Sequence, residues 1–255
     1  ARPDNGHSDL FYGMPNSYGT LGYVLRARAR TVPVRPYVRL AHIRHAHGGR
    51  FFADLARRCE SDADFLDAVV FGPTEQVITE GRFVDTAPGA SDYTYERIYY
   101  QSLRKTEADY LTAHDYLWRW DTDWFWCSKH LLAQNAIVRR LLGRKRLNSV
   151  FYSRVMRWNT RFGITRRLDR MLGKHPESVI QDVDIPIARA PDFLEFLLRE
   201  IGILPIWICP FRSPERRARW PLFPADHDTL YVNFGFWDVV RPDEPHPAGH
   251  FNRLI

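Results

Sequence analysis

A turn of small residues near the start of the chain, residues 15–22, is the first stretch whose residue types could bind a ligand. Gly19 and Gly22 let the backbone approach a flat or charged ligand closely, because glycine has no side chain to hold it away. Ser17 and Thr20 add hydroxyl groups, and successive backbone N–H groups of such a turn can cradle an anion or a ring edge. A tight turn without a ligand has the same spacing, so both interpretations stay open.

An aromatic run at residues 110–126 contains four tryptophans and is suited to line an apolar pocket. Packing in an ordinary core is the alternative. The polar side chains of the run are His114, Asp115, Tyr116, Arg119, Asp121 and Asp123. No metal site is predicted, because His114, Cys127 and His130 lack the spacing of a closed zinc site and the three cysteines form no CxxC pair.

A basic segment, residues 139–174, holds twelve Lys and Arg residues and one acid, Asp169. Phe151, Val155, Trp158 and Phe162 recur every three or four residues, so a helix would place them on one face. Such a basic amphipathic helix can lie on a membrane surface. A solvated helix or a subunit contact is the alternative. Nucleic acid is not the expected partner, since no nucleic-acid-binding signature accompanies the charge.

The composition of the 255-residue chain, 45% hydrophobic and 14% aromatic, is that of a folded protein with a substantial core. The net charge is +6. The sequence contains neither an apolar run long enough to span a membrane nor a signal peptide, and three separated cysteines are typical of a reducing cytosol. We therefore expect a cytoplasmic protein, peripheral on the membrane if the basic segment binds there. Both ends look like cuts through a longer polypeptide.

The pattern of strands and helices predicts an α+β fold whose sheet is covered on one face. Alternating residues predict strands at residues 23–30 and 38–43, and the turn at residues 72–74 separates two more, at 65–71 and 76–84. Further strands are predicted at 179–186, 204–209 and 230–236. Helices are predicted at 49–60 and from an Asp192 cap to Gly202, and residues 93–174 are expected to be mostly helical.

Several segments together resemble one known family. Ser-Asp-Leu-Phe at residues 8–11, a short spacer and Gly-Thr-Leu-Gly at 19–22 resemble the last flavin-contacting loop of the vanillyl-alcohol-oxidase (PCMH-type) fold. Residues 33–40 are similar to the strand that leaves the flavin domain in 24-dehydrocholesterol reductases. Residues 179–186, 204–211 and 230–233 are similar to strands of their substrate domain. The matches follow the family's order and span nearly the whole chain.

The resemblance implies that residues 1–37 finish an FAD-binding domain and that residues 38–255 form a substrate (cap) domain with a largely antiparallel sheet, incomplete at its C-terminus. The family's N-terminal half, which holds the FAD pyrophosphate, has no counterpart in residues 1–255, so this chain alone is expected to bind FAD poorly. The resemblance assigns the flavin contact to eight residues: Pro15, Asn16, Ser17, Tyr18, Gly19, Thr20, Leu21 and Gly22.

The activity that the resemblance implies is reduction of a carbon–carbon double bond in a lipid, with FAD as cofactor and NADPH as electron donor. His114 and Tyr116 match a His-x-Tyr pattern of these reductases, and either could donate the proton. The Arg-rich, Lys-poor composition indicates a bacterial member, which favours a methylene-bearing fatty acyl chain over a sterol side chain. A flavin-dependent oxidase or dehydrogenase of an alcohol or hydroxy acid, and a non-catalytic membrane-associated subunit, stay open as alternatives.

Overall fold

A computed structural model of the chain describes residues 1–213 and 220–255. The helices are α1 (Ser8–Gly13), α2 (Gly48–Arg58), α3 (Tyr99–Ser102), α4 (Ala113–Leu117), α5 (Ala136–Leu142), α6 (Ser149–Phe162), α7 (Ile164–Met171), α8 (Ala190–Phe196) and α9 (His250–Leu254). The strands are β1 (Tyr37–His45), β2 (Phe65–Gly72), β3 (Glu75–Val84), β4 (Ala108–Thr112), β5 (Glu177–Pro186), β6 (Ile206–Phe211) and β7 (Tyr231–Val240).

The strands form one seven-stranded sheet in the described ranges, in the order β4, β1, β3, β2, β6, β7, β5. Each neighbouring pair is antiparallel. The predicted turn at residues 72–74 closes the hairpin of β2 and β3, whose register pairs Ala68 with Ile78. The α+β class and the antiparallel sheet are therefore confirmed.

Both faces of the central strands are covered, whereas one covered face was expected. In β2, Ala68 and Val70 belong to a cluster that includes apolar side chains of α2 and α8. Val69, between them, belongs to a second cluster, which the aromatic segment at residues 93–126 covers. A strand that is buried on both faces has a continuous apolar sequence, without the alternation of a strand that exposes one face. β2 has such a sequence at residues 68–71.

The N-terminal segment differs from its prediction in two places. Residues 8–11, which belong to the stretch that resembles a flavin-contacting loop, lie in the helix α1. Residues 23–30, predicted as a strand, form none, and residues 23–36 are all exposed. Alternating apolar and basic residues do not make a strand when no neighbouring strand shares its backbone hydrogen bonds. The division of the chain at residue 37, where β1 begins, stays a prediction.

The middle and the last third also correct details of the predicted elements. Residues 93–174 include an edge strand, β4, in addition to the expected helices. Asp192 lies inside the first turn of α8 and is not its cap; the helix begins at Ala190 and continues as a π-helical turn to Ile201. A carboxylate in the first helical turn still interacts favourably with the helix dipole.

Candidate functional site

The turn of residues 15–22 follows α1 and has a left-handed backbone at four positions. The φ angles are 62° at Asn16, 49° at Tyr18, 81° at Gly19 and 132° at Gly22. Inside the turn, the Thr20 N–H and hydroxyl both donate to the Ser17 carbonyl, at 2.9 and 2.6 Å. A left-handed conformation is unfavourable for residues with a side chain, so Asn16 and Tyr18 store backbone strain of the kind that collects at binding sites.

The turn is anchored on one side and open on the other. The Asn16 side-chain amide donates to the Leu222 carbonyl at 2.6 Å, and the ring of Tyr12 in α1 contacts the Trp220 ring at 5.2 Å between centroids. Ser17 is buried, but the rest of the turn is exposed or half-buried. A Cβ atom added at Gly22 would meet nothing within 4 Å. The open side is therefore accessible to a ligand.

The aromatic run forms a packed cluster against β6 and β7. Trp126 is fully buried and stacks on Trp237 of β7, with ring centroids 4.8 Å apart and planes 3° apart. Trp120 stacks on Phe125 at 5.1 Å. The Trp237 indole N–H donates to the Phe125 carbonyl at 3.1 Å. Trp120 and Trp126 thus form part of the core, and the lining of an apolar pocket by this run stays a prediction.

A short left-handed turn holds these rings in place. Trp124, Phe125 and Trp126 have φ angles of 49°, 46° and 57°. The buried Asp123 carboxylate accepts a hydrogen bond from the Trp126 N–H at 2.7 Å and another from the Ser128 hydroxyl. Burial raises the pKa of Asp123, although these hydrogen bonds favour its charged form. The carboxylate acts as the capping group that fixes an unfavourable backbone conformation.

A buried ion pair lies next to the cluster. The Arg119 guanidinium donates to the Asp67 carboxylate of β2 at 2.7 Å, and each side chain is 10% exposed. It also donates to the Tyr116 carbonyl at 2.8 Å and lies 3.9 Å from the centroid of the Tyr116 ring. Arg119 thereby connects the sheet to the segment that carries the predicted proton donors. No local pattern in the sequence pairs these two residues, because they are 52 positions apart.

The two predicted proton donors lie in different surroundings. The His114 side chain is exposed, with Nδ1 3.2 Å from the Asp115 carboxylate. Tyr116 is buried, and its ring contacts Phe65 of β2 at 4.5 Å between centroids. Burial, and then the Asp67 charge, raise the pKa of the Tyr116 hydroxyl far above its usual range. The structure therefore does not bring the two side chains together in one site.

Because His42 on β1 is buried, we expect the free energy of unfolding to depend on pH. Burial lowers its pKa below 6.5, although the Thr106 carbonyl, 3.0 Å from Nδ1, favours the charged ring. Between the lowered pKa of folded His42 and 6.5, the unfolded chain binds more of this proton than the folded chain does, so stability falls as the pH falls through that window. We expect urea unfolding to show a smaller loss between pH 7 and pH 5 in His42→Gln than in the wild type, by up to about 1.4 kcal/mol per pH unit. An equal loss in both proteins would contradict this.

An open cleft of about 660 Å³ lies between α7 and the segment that leads into α9. Its lining includes the basic side chains of Arg166, Arg170 and Lys174, together with His175 and His246. Lys174 forms an ion pair with Asp243. One acid, Glu177, also lines the cleft, so the lining has a net positive charge.

In residues 1–213 and 220–255, no three His, Cys, Asp or Glu side chains converge as they would around a metal ion. No helix in the same ranges has the length and hydropathy needed to cross a membrane.

Comparison with known proteins shows a consistent set of relatives. The Delta(24)-sterol reductase of Arabidopsis thaliana is 26% identical over 247 residues, which cover 88% of this chain and 42% of the relative. The human Delta(24)-sterol reductase is 25% identical over 252 residues, covering 92% and 46%. A Delta(24)-sterol reductase homolog of Caenorhabditis elegans is 24% identical over 273 residues, covering 100% and 49%. Over most of its length, the chain is thus similar to Delta(24)-sterol reductases, at about 25% identity.

This relationship confirms the resemblance that the segment order indicated. No protein-family model matches the chain. The chain spans less than half the length of the Delta(24)-sterol reductases described above, 42–49% of each. Homology to the Delta(24)-sterol reductases therefore applies to nearly all of this chain but to only part of each relative.

The site residues of this chain stay predictions. The turn at residues 15–22 has an open side, and Tyr116 lies beside a buried ion pair that sequence reasoning missed. Asp67 could have been noticed as an acid inside an apolar strand, Phe65–Gly72, because a buried charge needs a partner. The sequence does not show that this partner is Arg119.

Proposed function

We propose that this chain is part of a flavin-dependent enzyme that reduces a carbon–carbon double bond in a lipid. The observation that carries the proposal is homology over nearly the whole chain to proteins named Delta(24)-sterol reductase. Their name states reduction of a sterol, and a lipid with an isolated double bond is the corresponding substrate class. A methylene-bearing fatty acyl chain and a sterol side chain both fall within it.

FAD is the proposed cofactor, and the turn at residues 15–22 is its proposed contact in this chain. The backbone N–H groups of Gly19, Leu21 and Gly22 donate to no residue in the described ranges, and the open side of Gly22 leaves room for a ring edge. These features fit the edge of a flavin. The pyrophosphate of FAD would be held by protein outside residues 1–255.

The proposed reaction needs a hydride on one carbon and a proton on the other. A reduced flavin, regenerated by NADPH, supplies the hydride when it is bound. This chain then has to supply the proton and exclude water. Tyr116 fits this role better than His114, because it is buried away from bulk water and its hydroxyl makes no hydrogen bond to a described residue, which leaves the O–H free to donate. His114, exposed beside Asp115, has access to bulk water.

The test is made on the purified full-length protein that contains this chain. We expect a yellow chromophore that NADPH bleaches without oxygen, and reduction of the double bond when a methylene-bearing acyl lipid or a Delta(24)-sterol is added. A protein without flavin would refute the proposal. Oxygen consumption with hydroxy acids, and no reduction of either lipid, would instead identify an oxidase. Vesicle binding without any turnover would identify a non-catalytic subunit.

A further inference from the structure

Helix α5 is inverted relative to an ordinary surface helix, because Arg139 is buried whereas Ile137 and Leu141 are exposed. Arg139 is 1% exposed and donates to the carbonyls of Tyr95 and Ala133, at 2.7 and 3.0 Å. Ile137 and Leu141, four residues apart and so on one face, are 69% and 77% exposed. Surface helices normally bury their apolar stripe. Arg139 and the half-buried Leu142 therefore hold α5 on the protein, and the face of Ile137 and Leu141 stays uncovered.

Helix α7 has the same inverted arrangement. Its buried residue is Asp169, which accepts a hydrogen bond from Arg241 at 3.0 Å. Ile164, Leu168 and Met171 recur at helical spacing and are all exposed, Met171 by 83%. Two helices of one segment thus present apolar stripes outward. An uncovered apolar surface of this kind marks an interaction site.

Helix α6, between them, adds aromatic rings and basic residues. The predicted helix is confirmed. Phe151 and Val155 are half-buried, whereas Trp158 and Phe162 are exposed and contact each other at 5.2 Å between ring centroids. The exposed basic residues of α6 lie along a neighbouring face and are Arg154, Arg157 and Arg161. Aromatic rings next to basic side chains are typical of helices that lie in a membrane interface.

Most of the positive charge of the basic segment, residues 139–174, has no partner in the described residues. Of its twelve basic residues, eight make no hydrogen bond or ion pair through their side chains to any residue in ranges 1–213 and 220–255. These eight are Lys145, Arg146, Arg154, Arg157, Arg161, Arg166, Arg167 and Arg170. Cations without a protein partner, set around exposed apolar side chains, fit a partner that is both anionic and apolar.

We propose that the exposed residues of α5, α6 and α7 form a membrane-binding face that lies on an anionic lipid bilayer. The apolar side chains would enter the boundary between headgroups and acyl chains, and the basic ones would contact lipid phosphates. A second copy of this chain is a poor occupant, because pairing the face with itself would bring like charges together. The proposal does not depend on the flavin or on the reaction.

The charge part of the proposal is tested by vesicle co-sedimentation of the full-length protein. We expect binding to phosphatidylcholine vesicles that contain phosphatidylserine, weakened by salt, and little binding to phosphatidylcholine alone. Arg154→Gln, Arg157→Gln and Arg161→Gln together should weaken binding about 100-fold, at about fivefold per basic residue. The matched control replaces Arg26, Arg28 and Arg30, exposed arginines outside the face, by Gln and should keep at least most of the binding.

The contribution of the apolar side chains to membrane binding is tested with two further double variants. Leu168→Ser with Met171→Ser should abolish sedimentation with the anionic vesicles, while Leu25→Ser with Val34→Ser, also exposed, should not. Both pairs lie at the surface, so an unchanged thermal melt will show that they remain folded.

Three results would overturn the proposal. The first is the absence of binding to anionic vesicles. The second is a face variant that changes the oligomeric state and leaves vesicle binding intact, which would identify a second copy as the occupant. The third is vesicle binding by the 255-residue chain but not by the full-length protein, which would show that the rest of the protein covers the face. Flavin content and turnover are read separately, so their loss does not bear on these outcomes.

Discussion

Tyr116→Phe is expected to lower kcat/KM for double-bond reduction by about 10²–10⁴-fold, the usual contribution of a positioned general acid. The reason is that the Tyr116 phenol is buried, so its O–H can donate to the substrate without competition from bulk water. The variant removes one oxygen and its proton and keeps the ring packed against Phe65. The measurement is steady-state kinetics of the full-length enzyme with its lipid substrate.

His114, the other predicted proton donor, provides the control for Tyr116→Phe. His114→Gln should leave kcat/KM within a few-fold of the wild type, because the side chain is exposed to water. In addition, single-turnover reduction in Tyr116→Phe should keep normal bleaching of the flavin by NADPH and lose only the step that consumes the lipid. A large loss in His114→Gln with normal kinetics in Tyr116→Phe would assign the proton to the histidine.

Most strands could be predicted because their signals are local. The hairpin of β2 and β3 follows from two apolar runs around Gly72 and Pro73, and its register matches that turn. β5, β6 and β7 were recognised from short apolar stretches between turn residues. The segment at residues 23–30 has a similar alternation but forms no strand. A strand depends on a partner, and the sequence of one segment does not show whether a partner exists.

The packing of the aromatic segment could not be predicted, because it depends on distant residues and an unfavourable backbone. Bulky residues rarely adopt the left-handed conformation, yet Trp124, Phe125 and Trp126 all do. The Asp123 carboxylate and the stacking of Trp126 on Trp237, 111 positions away, compensate for it. Neither contact has a signature in the local sequence.

The direction of the proposed membrane-binding face likewise could not be predicted from the local sequence of a helix. Periodicity identifies Ile137 and Leu141 as one stripe of α5, and the usual inference places such a stripe against the core. The structure places it outward, because Arg139 reaches the Tyr95 carbonyl, 44 positions away. A pattern therefore predicts which residues share a face, whereas the direction of that face depends on tertiary contacts.

Asp67→Ala should lower the free energy of unfolding by about 3–5 kcal/mol, because it leaves the Arg119 guanidinium buried without its counter-charge. Each side chain of the pair is 10% exposed, and the 2.7 Å contact joins β2 to the aromatic segment. The measurement is urea unfolding at neutral pH. The control is Asp85→Ala, which breaks the exposed Arg35–Asp85 pair and should change stability by less than about 1 kcal/mol.

The double variant Asp67→Leu with Arg119→Met separates the value of the ion pair from the penalty of breaking it. Replacing a buried ion pair by apolar side chains of similar volume is often neutral, because the desolvation of two charges offsets much of their attraction. We therefore expect the double variant to regain most of the stability lost in Asp67→Ala. If it is as unstable as the single variant, the pair itself stabilises the fold. If Asp67→Ala is no less stable than Asp85→Ala, water reaches Arg119, and the surroundings of Tyr116 are not the dry site that a proton donor to a lipid double bond requires.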